Sequence, residues 1–371
     1  MRIETNAKVF LETLDKALAL VASRSTLPVL ECVQVTAGND LVYMTAMNAT
    51  HETKTIQIHL KAMVDGVGTF LIGKEQYNLI KKMGNNQLVV EVEPDAGRPI
   101  VTCKCGKRRY DFQMDYTNDS YPSGNIYGED IPACAMMHSQ DLLDAMNRLV
   151  ATTSNEEAHT MMRFFHMDFA KQRMETIDGH RIGIRELSDI KIVKPDDAMI
   201  DTLSLKALRK VIGKDDCMVW ICADEKHVRI KGDGWVYTQR KPDGKWFDID
   251  KMLTNDFSAE MNVEISDMKE AVDYILSMKT GDPRIPMIME MTDDGLMLNR
   301  VGAGGQVSDV LAVDNYYGKF ERSGFDPTFI KDACNTLDTD TMRMEWRSPK
   351  APMMLIGDMY KVLVLPVNIG A

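Results

Sequence analysis

Seven histidines, at positions 51, 59, 138, 159, 166, 180 and 227, and seven cysteines, at 32, 103, 105, 134, 217, 222 and 334, are where acid–base, nucleophilic or metal chemistry would begin. No two histidines stand four apart, so the His-x-x-x-His and His-Glu-x-x-His spacings that put two imidazoles on one metal are both missing. Cys103 and Cys105 are the closest thiol pair, and a lone Cys-x-Cys in a strand-like stretch lacks the paired spacing of a zinc site. An odd, scattered set of cysteines suits reduced thiols in a cytoplasm better than a disulfide framework. No phosphate-cradling Gly-x-x-x-x-Gly-Lys-Ser/Thr and no Gly-x-Ser-x-Gly nucleophile elbow occurs, and Gly302-Ala303-Gly304-Gly305 lacks the dinucleotide-binding spacing and reads as a flexible loop. His180, in Ile177-Asp178-Gly179-His180-Arg181, is the histidine in a distinctive setting. As a general base it would need a carboxylate and a nucleophile within reach; otherwise it belongs to a turn or a pocket wall. The expectation is no cofactor, no metal and no catalytic residue.

The elements that would position such residues follow from composition and pattern. With 371 residues, 44% hydrophobic and 27% charged, the chain has the make-up of a folded globular protein of two or three domains. Fifty-five acidic against forty-four basic residues give a net charge of −11, so any contact with nucleic acid must use a segregated basic surface. No apolar run approaches the roughly 18 residues of a membrane span, and Glu4, Glu12 and Asp15 stand where a signal peptide would be basic and then apolar. No membrane association and a cytoplasmic location are expected. The 28 methionines read as adaptable core filler.

The chain repeats one grammar three times. Segments beginning at Ile72, Leu203 and Phe325 each give an amphipathic helix, a turn and then alternating strands such as Leu88-Val90-Val92 and Met342-Met344-Trp346. An earlier helix precedes each, with apolar faces Phe10-Leu14-Leu18, Leu142-Met146-Leu149 and Met268-Val272-Ile275, and with Ser139 placed as an N-cap of the second. Strands are expected over 29–35, 163–169 and 285–291, and Asp65-Gly66, Asp233-Gly234 and Asp294-Gly295 read as hairpin turns. The fold class is therefore α+β, as three repeats over 1–127, 128–253 and 254–371.

With five further strings in order along the whole chain, this pattern resembles the β sliding clamp family, the processivity subunit of bacterial DNA polymerase III. The strings are Thr26-Leu27-Pro28-Val29-Leu30-Glu31, Asp115 to Pro122, Thr176 to Ile182, Asp243-Gly244-Lys245-Trp246-Phe247-Asp248, and Tyr360 to Val367. The resemblance implies three clamp domains per chain and a head-to-tail homodimer closed into a ring. Sheets would lie outside, and helices would line a channel around double-stranded DNA. It also implies a non-enzymatic role in DNA replication, with a polymerase catalytic subunit and a clamp loader docking through clamp-binding peptide motifs.

Carried onto this sequence, the channel lining would come from Arg24, Lys74, Lys81, Lys82, Arg148, Lys206, Arg209, Lys210, Lys269 and Lys279. Such contacts would reach phosphates and carry no sequence readout; the plainer reading is ordinary solvated helix faces. The peptide cleft would be walled by Met162, Ile177, Gly179, His180, Arg181 and Ile182, by Phe247, Lys251 and Met252, and by Asp326, Phe329, Lys350, Pro352, Leu363, Leu365, Pro366 and Val367. Two departures point to a divergent or phage-encoded member. Glu156-Glu157-Ala158-His159-Thr160 stands where the family often contacts DNA, and Pro366-Val367-Asn368-Ile369 lacks the arginine of the family's C-terminal string. Two other readings stay open: a soluble enzyme with a site at the junction of the second and third repeats around Asp178, His180 and Arg181, and a peptide-binding adaptor that forms no ring.

Overall fold

The structure, a computed structural model, describes residues 1–93, 98–122, 133–156, 158–188, 190–253, 256–282 and 285–369. Among them are six α-helices, α1 (Ala7–Leu18), α2 (Lys74–Lys81), α3 (Ser139–Leu149), α4 (Leu205–Ile212), α5 (Ile265–Ser277) and α6 (Pro327–Thr336). None is long and apolar enough to cross a membrane.

Local chemistry sets the helix ends. The Asn6 side chain accepts from the Lys8 N–H at 2.9 Å and starts α1, whose Phe10, Leu11, Leu14 and Ala17 are buried. Asp326 caps α6 by accepting from Thr328 N–H at 2.8 Å, with Pro327 in the first turn where its missing N–H costs nothing. In α4, Leu205, Ala207, Leu208, Val211 and Ile212 are buried while Lys206, Arg209 and Lys210 are exposed, and Gly213 at φ 72° ends the helix. Ser139 opens α3 but does not cap it as expected: the buried hydroxyl donates to the Asp216 carboxylate at 3.3 Å and accepts from Cys217 N–H at 3.1 Å. Three strand starts also move. Pro28–Glu31 is a 3₁₀ turn before the Cys32–Gly38 strand, because Pro28 brings helical φ and no N–H; the other two strands run Phe164–Asp168 and Met287–Thr292.

The described residues gather into two compact units, Met1–Leu143 with Ile190–Pro242, and Asp144–Asp189 with Asp243–Ala371. The first contains a five-stranded sheet and a nine-stranded one. In the larger sheet the Trp235–Arg240 strand pairs antiparallel with Lys54–Lys61, Trp235 opposite Ile58, so a strand of the expected middle repeat continues a sheet of the first. The second unit contains the Gly295–Gly302 hairpin sheet and the strand run Phe164–Asp168, Arg173–Ile177, Arg181–Glu186, Tyr360–Val364, Met353–Ile356 and Thr341–Trp346. Here Arg181–Glu186 pairs with Tyr360–Val364, Arg181 opposite Val364. The middle repeat is thus divided between the two units by sheet pairing. Its expected boundaries fall at 127/128, outside the described residues, and at 253/254, beside Thr254 and Asn255, which are also outside them.

Packing follows the strand period. In the first unit Val33, Val35 and Ala37 alternate inward from one strand, and Val42, Met44 and Ala46 from the next. At Gly183 in the second unit, an added Cβ would lie 2.3 Å from Thr152 Oγ1 and 2.8 Å from Leu149 Cδ2. Glycine there lets the end of α3 approach the strand closely.

Candidate functional sites: an apolar pocket and a basic hollow

Four strands of the second unit set Ile177, Ile182, Leu363 and Met354 directly opposite one another in register, Ile177 to Ile182, Ile182 to Leu363, and Leu363 to Met354. Cross-strand partners point to the same face. The result is an apolar row that packs with Ile184 and Ile249 and leaves a cavity of about 440 Å³ above it. Met162, Phe247, Met252, Pro352 and Leu365 complete the apolar walls, and Gly179, His180 and Arg181 form the remaining side. Met252 and Leu365 stay 41% and 38% exposed, so the hollow presents apolar surface to solvent. Its size falls within the range of about 300–1,000 Å³ typical of ligand pockets.

The Asp178-Gly179-His180-Arg181 string is the turn that carries this wall. Asp178 Oδ1 accepts from the N–H groups of His180 at 2.8 Å and Arg181 at 2.7 Å, and Gly179 sits at φ +90°, where a side chain would be strained. Arg181 is buried with its donors committed: Nε to Asp178 at 2.9 Å, Nη1 to Asp332 at 2.6 Å and Nη2 to the Ala151 carbonyl at 2.5 Å. Its guanidinium lies 4.2 Å from the centre of the Phe329 ring, and the His180 ring stacks on Phe329 at 5.6 Å. Arg181 therefore braces the wall. Asp178 serves the turn and Arg181, and its hydrogen bond to His180 goes to the backbone N–H, so the carboxylate–imidazole pair that general-base chemistry would need is not formed.

Eleven of the seventeen cleft residues named from the sequence line the cavity, and six do not. Phe329 lies behind His180 and Arg181. Asp326 is occupied as the α6 cap. Lys251 is exposed and pairs with Asp248 at 2.9 Å, and Lys350 is exposed. Leu365 N–H still donates to the His180 carbonyl at 2.9 Å, but Val367 turns away, its N–H donating to the Gly324 carbonyl at 2.8 Å, and takes Pro366 with it. The sequence reading missed the residues beneath the cavity rim. Buried Glu175 accepts from Trp246 Nε1 at 2.8 Å, pairs with His166 Nδ1 at 3.0 Å and bonds Arg173. The signals for them were the polar alternation of Arg173 and Glu175 in one strand and the place of Trp246 in the Asp243–Asp248 string.

The first unit holds a second concavity, between the end of α1 and the basic faces of α2 and α4, whose lining includes Ala19, Ser23, Glu31, Lys74, Tyr77, Lys206 and Lys210 with Asp15. It brings three of the expected channel cations together. Lys210 pairs with Asp15 at 2.5 Å, and the C-terminal end of α1 adds the negative end of a helix dipole, so the lysines are partly balanced. Arg24 is exposed just beyond Ser23; Lys82 and Arg209 are exposed as well, and Lys81 lies over the Tyr77 ring at 5.7 Å. In the second unit Lys279 is exposed and Lys269 half-buried. Arg148 departs from the expectation: it donates to Asp144 at 2.9 Å and the Leu337 carbonyl at 2.7 Å and lies 5.4 Å from the Tyr360 ring centre. With these bonds it ties α3 to the end of α6.

Among the described residues no cluster of three or more histidine, cysteine or acidic side chains could hold a metal. Cys103 and Cys105 are buried on one face of their strand, and burial, with Asp111 adding to it, pushes the Cys103 thiol up to about 12.

No family model matches the chain. Along its length, however, it is similar to characterised relatives. It is 19% identical to the beta sliding clamp of Streptococcus pneumoniae serotype 4, over 98% of this chain and 98% of that protein. It is equally 19% identical to the beta sliding clamp of Bacillus subtilis, over 96% and 97% respectively. The fold superposes on the crystal structure of the Bacillus subtilis DNA polymerase sliding clamp with a TM-score of 0.89, covering 100% of both chains at 19% identity. The resemblance read from the sequence strings thus holds over the whole chain, and the fold is the sliding-clamp fold.

Proposed function

We propose that this chain, a divergent member of the β sliding clamp family, is a DNA sliding clamp. Two copies close head to tail around double-stranded DNA in the cytoplasm and tether a replicative polymerase without chemistry of their own. The three repeats, over 1–127, 128–253 and 254–371, are its clamp domains. The observation that carries this reading is the apolar pocket above the Ile177, Ile182 and Leu363 row, assembled by eleven of the residues that the family resemblance nominates. A pre-formed apolar hollow with a turn of polar backbone at its side suits a short extended peptide presenting leucine or phenylalanine. The polymerase catalytic subunit and the clamp loader are the partners that would bring such peptides. The exposed cations of α2 and α4 supply sequence-independent phosphate contacts.

Mass and topology test the reading together. Light scattering should give twice the chain mass of 41.9 kDa. Once loaded onto circular DNA, the protein should persist at salt that screens individual phosphate contacts, and cutting the circle should release it. Equal retention on cut and closed DNA would overturn the proposal, and a monomer that still binds the peptide would favour the adaptor.

A further inference from the structure

The pocket wall contributed by residues 246–252 is not part of any strand, yet it supplies Phe247 and Met252 to the cavity. A segment without ladder hydrogen bonds needs another restraint to hold an apolar wall in place. Besides the buried Ile249, a polar restraint comes from one strand. Arg173 and Glu175, two apart in Arg173–Ile177 and therefore on the same face, grip the segment at two points. Glu175, 1% exposed, accepts from Trp246 Nε1 at 2.8 Å. Arg173 donates to Asp250 at 2.6 Å, and Lys171 reaches the other oxygen of the same carboxylate at 2.6 Å. Arg173 also bonds Glu175, so the two grips share one charge network.

The rings pass this constraint to the cavity. His166, itself paired to Glu175 at 3.0 Å, stacks on Trp246 with centroids 4.8 Å apart, and Trp246 meets Phe247 edge-on at 5.4 Å. We infer that Glu175 and Arg173 are positioning residues for peptide recognition. They fix the Trp246–Asp250 segment so that Phe247 and Met252 stand ready before a peptide arrives, which spares the cost of ordering that wall on binding.

The inference rests on the pocket being the peptide site. Its test measures fluorescence anisotropy of a labelled short peptide carrying leucine and phenylalanine residues against the full-length protein, with thermal midpoints recorded in parallel. Trp246→Phe keeps the stacked ring but loses the N–H donor, and should weaken binding about three- to tenfold; Trp246→Ala removes the ring and should weaken it further. Glu175→Gln is near-isosteric and guards against a variant that fails to fold. It swaps one carboxylate oxygen for an NH2 that cannot accept from Arg173 or Trp246, and should weaken binding by about the same factor as Trp246→Phe; the double variant should lose less than the product of the two single effects, because both changes loosen the same Trp246–Glu175–Arg173 network. Wild-type binding with unchanged affinity in Glu175→Gln and Trp246→Ala would overturn the inference while leaving the pocket reading intact. So would full additivity in the double variant. No binding by the wild-type protein would instead overturn the pocket reading, and the inference with it.

Discussion

The apolar pocket of the second unit and the basic hollow of the first are built on opposite principles. Around the pocket the charged groups are already paired: buried Arg181 has three partners, buried Glu175 three, and half-buried Asp178 holds its turn, while exposed His180 stacks on Phe329. What faces the cavity is mostly apolar carbon in a fixed frame, including Met162 and Met252, whose flexible thioethers adapt to different apolar partners. In the hollow Lys74, Lys206 and Lys210 are exposed on long side chains that keep their rotamer freedom, with Lys210 held by Asp15 at 2.5 Å. A fixed hollow can discriminate between peptide side chains, whereas mobile cations on helix faces attract any phosphate backbone and select none. Arg148 and Lys206 show how little a helix position decides this: both are helix cations, but Arg148 is committed to Asp144 and α6 while Lys206 is exposed in the hollow.

The largest effect should come from placing a charge in the fixed hollow. Leu365 is 38% exposed, so Leu365→Asp can fold with its carboxylate in solvent. It removes an apolar anchor worth about 2 kcal/mol, and peptide affinity should fall at least about thirtyfold with DNA retention on circles unchanged. Isothermal calorimetry with the labelled peptide's unlabelled form would check it; binding within threefold of wild type would mean that the occupant does not reach Leu365.

The reciprocal change sharpens the contrast. Arg24, Lys74 and Lys206, all exposed, changed together to Glu should cost about 0.5 kcal/mol or less each in stability and leave peptide affinity as it was. The slope of log affinity for duplex DNA against log salt should become shallower by about 0.9 for each phosphate that the protein no longer neutralises. An unchanged slope would show that these helices do not meet DNA.

The smallest effect concerns pH. The Lys171 ammonium, first, and then the Arg173 guanidinium hold the Asp250 carboxyl below its ordinary 3.8. Because the folded value is depressed, the brace that Asp250 provides is complete above the ordinary value and is lost only as pH falls through the lower, folded one. Peptide affinity should therefore be flat from neutral pH down to about 4 and decline below it. The groups facing Asp250 are Lys171 and Arg173, with Asp168 also near Lys171 at 3.7 Å. A midpoint well above pH 4 would mean that Asp250 does not set the change.

Much of this molecule is written in short-range pattern. The apolar faces of α1, α4 and α5, the strands at Leu88–Val92 and Met342–Trp346, and the exposed lysines of α2 and α4 follow from spacings of three to four or two residues, which local geometry enforces wherever the segment sits. The Asp178-Gly179 turn was equally legible, since an acceptor side chain followed by a residue tolerant of positive φ specifies it locally. Tertiary structure alone decided the rest. Glu175 and Trp246 are 71 residues apart, Arg181 and Asp332 are 151, and Arg148 and Leu337 are 189. Strand pairing also cut the middle repeat in two, joining Trp235–Arg240 to one sheet and Arg181–Glu186 to another. A side chain's type fixes what it can bond, but which partner it meets depends on sheet register and helix packing summed over the whole chain. That is why the sequence determined the repeats and the chemistry available to them, and only the folded structure decided that Arg181 braces a wall, Arg148 ties two helices and Phe247 faces the cavity.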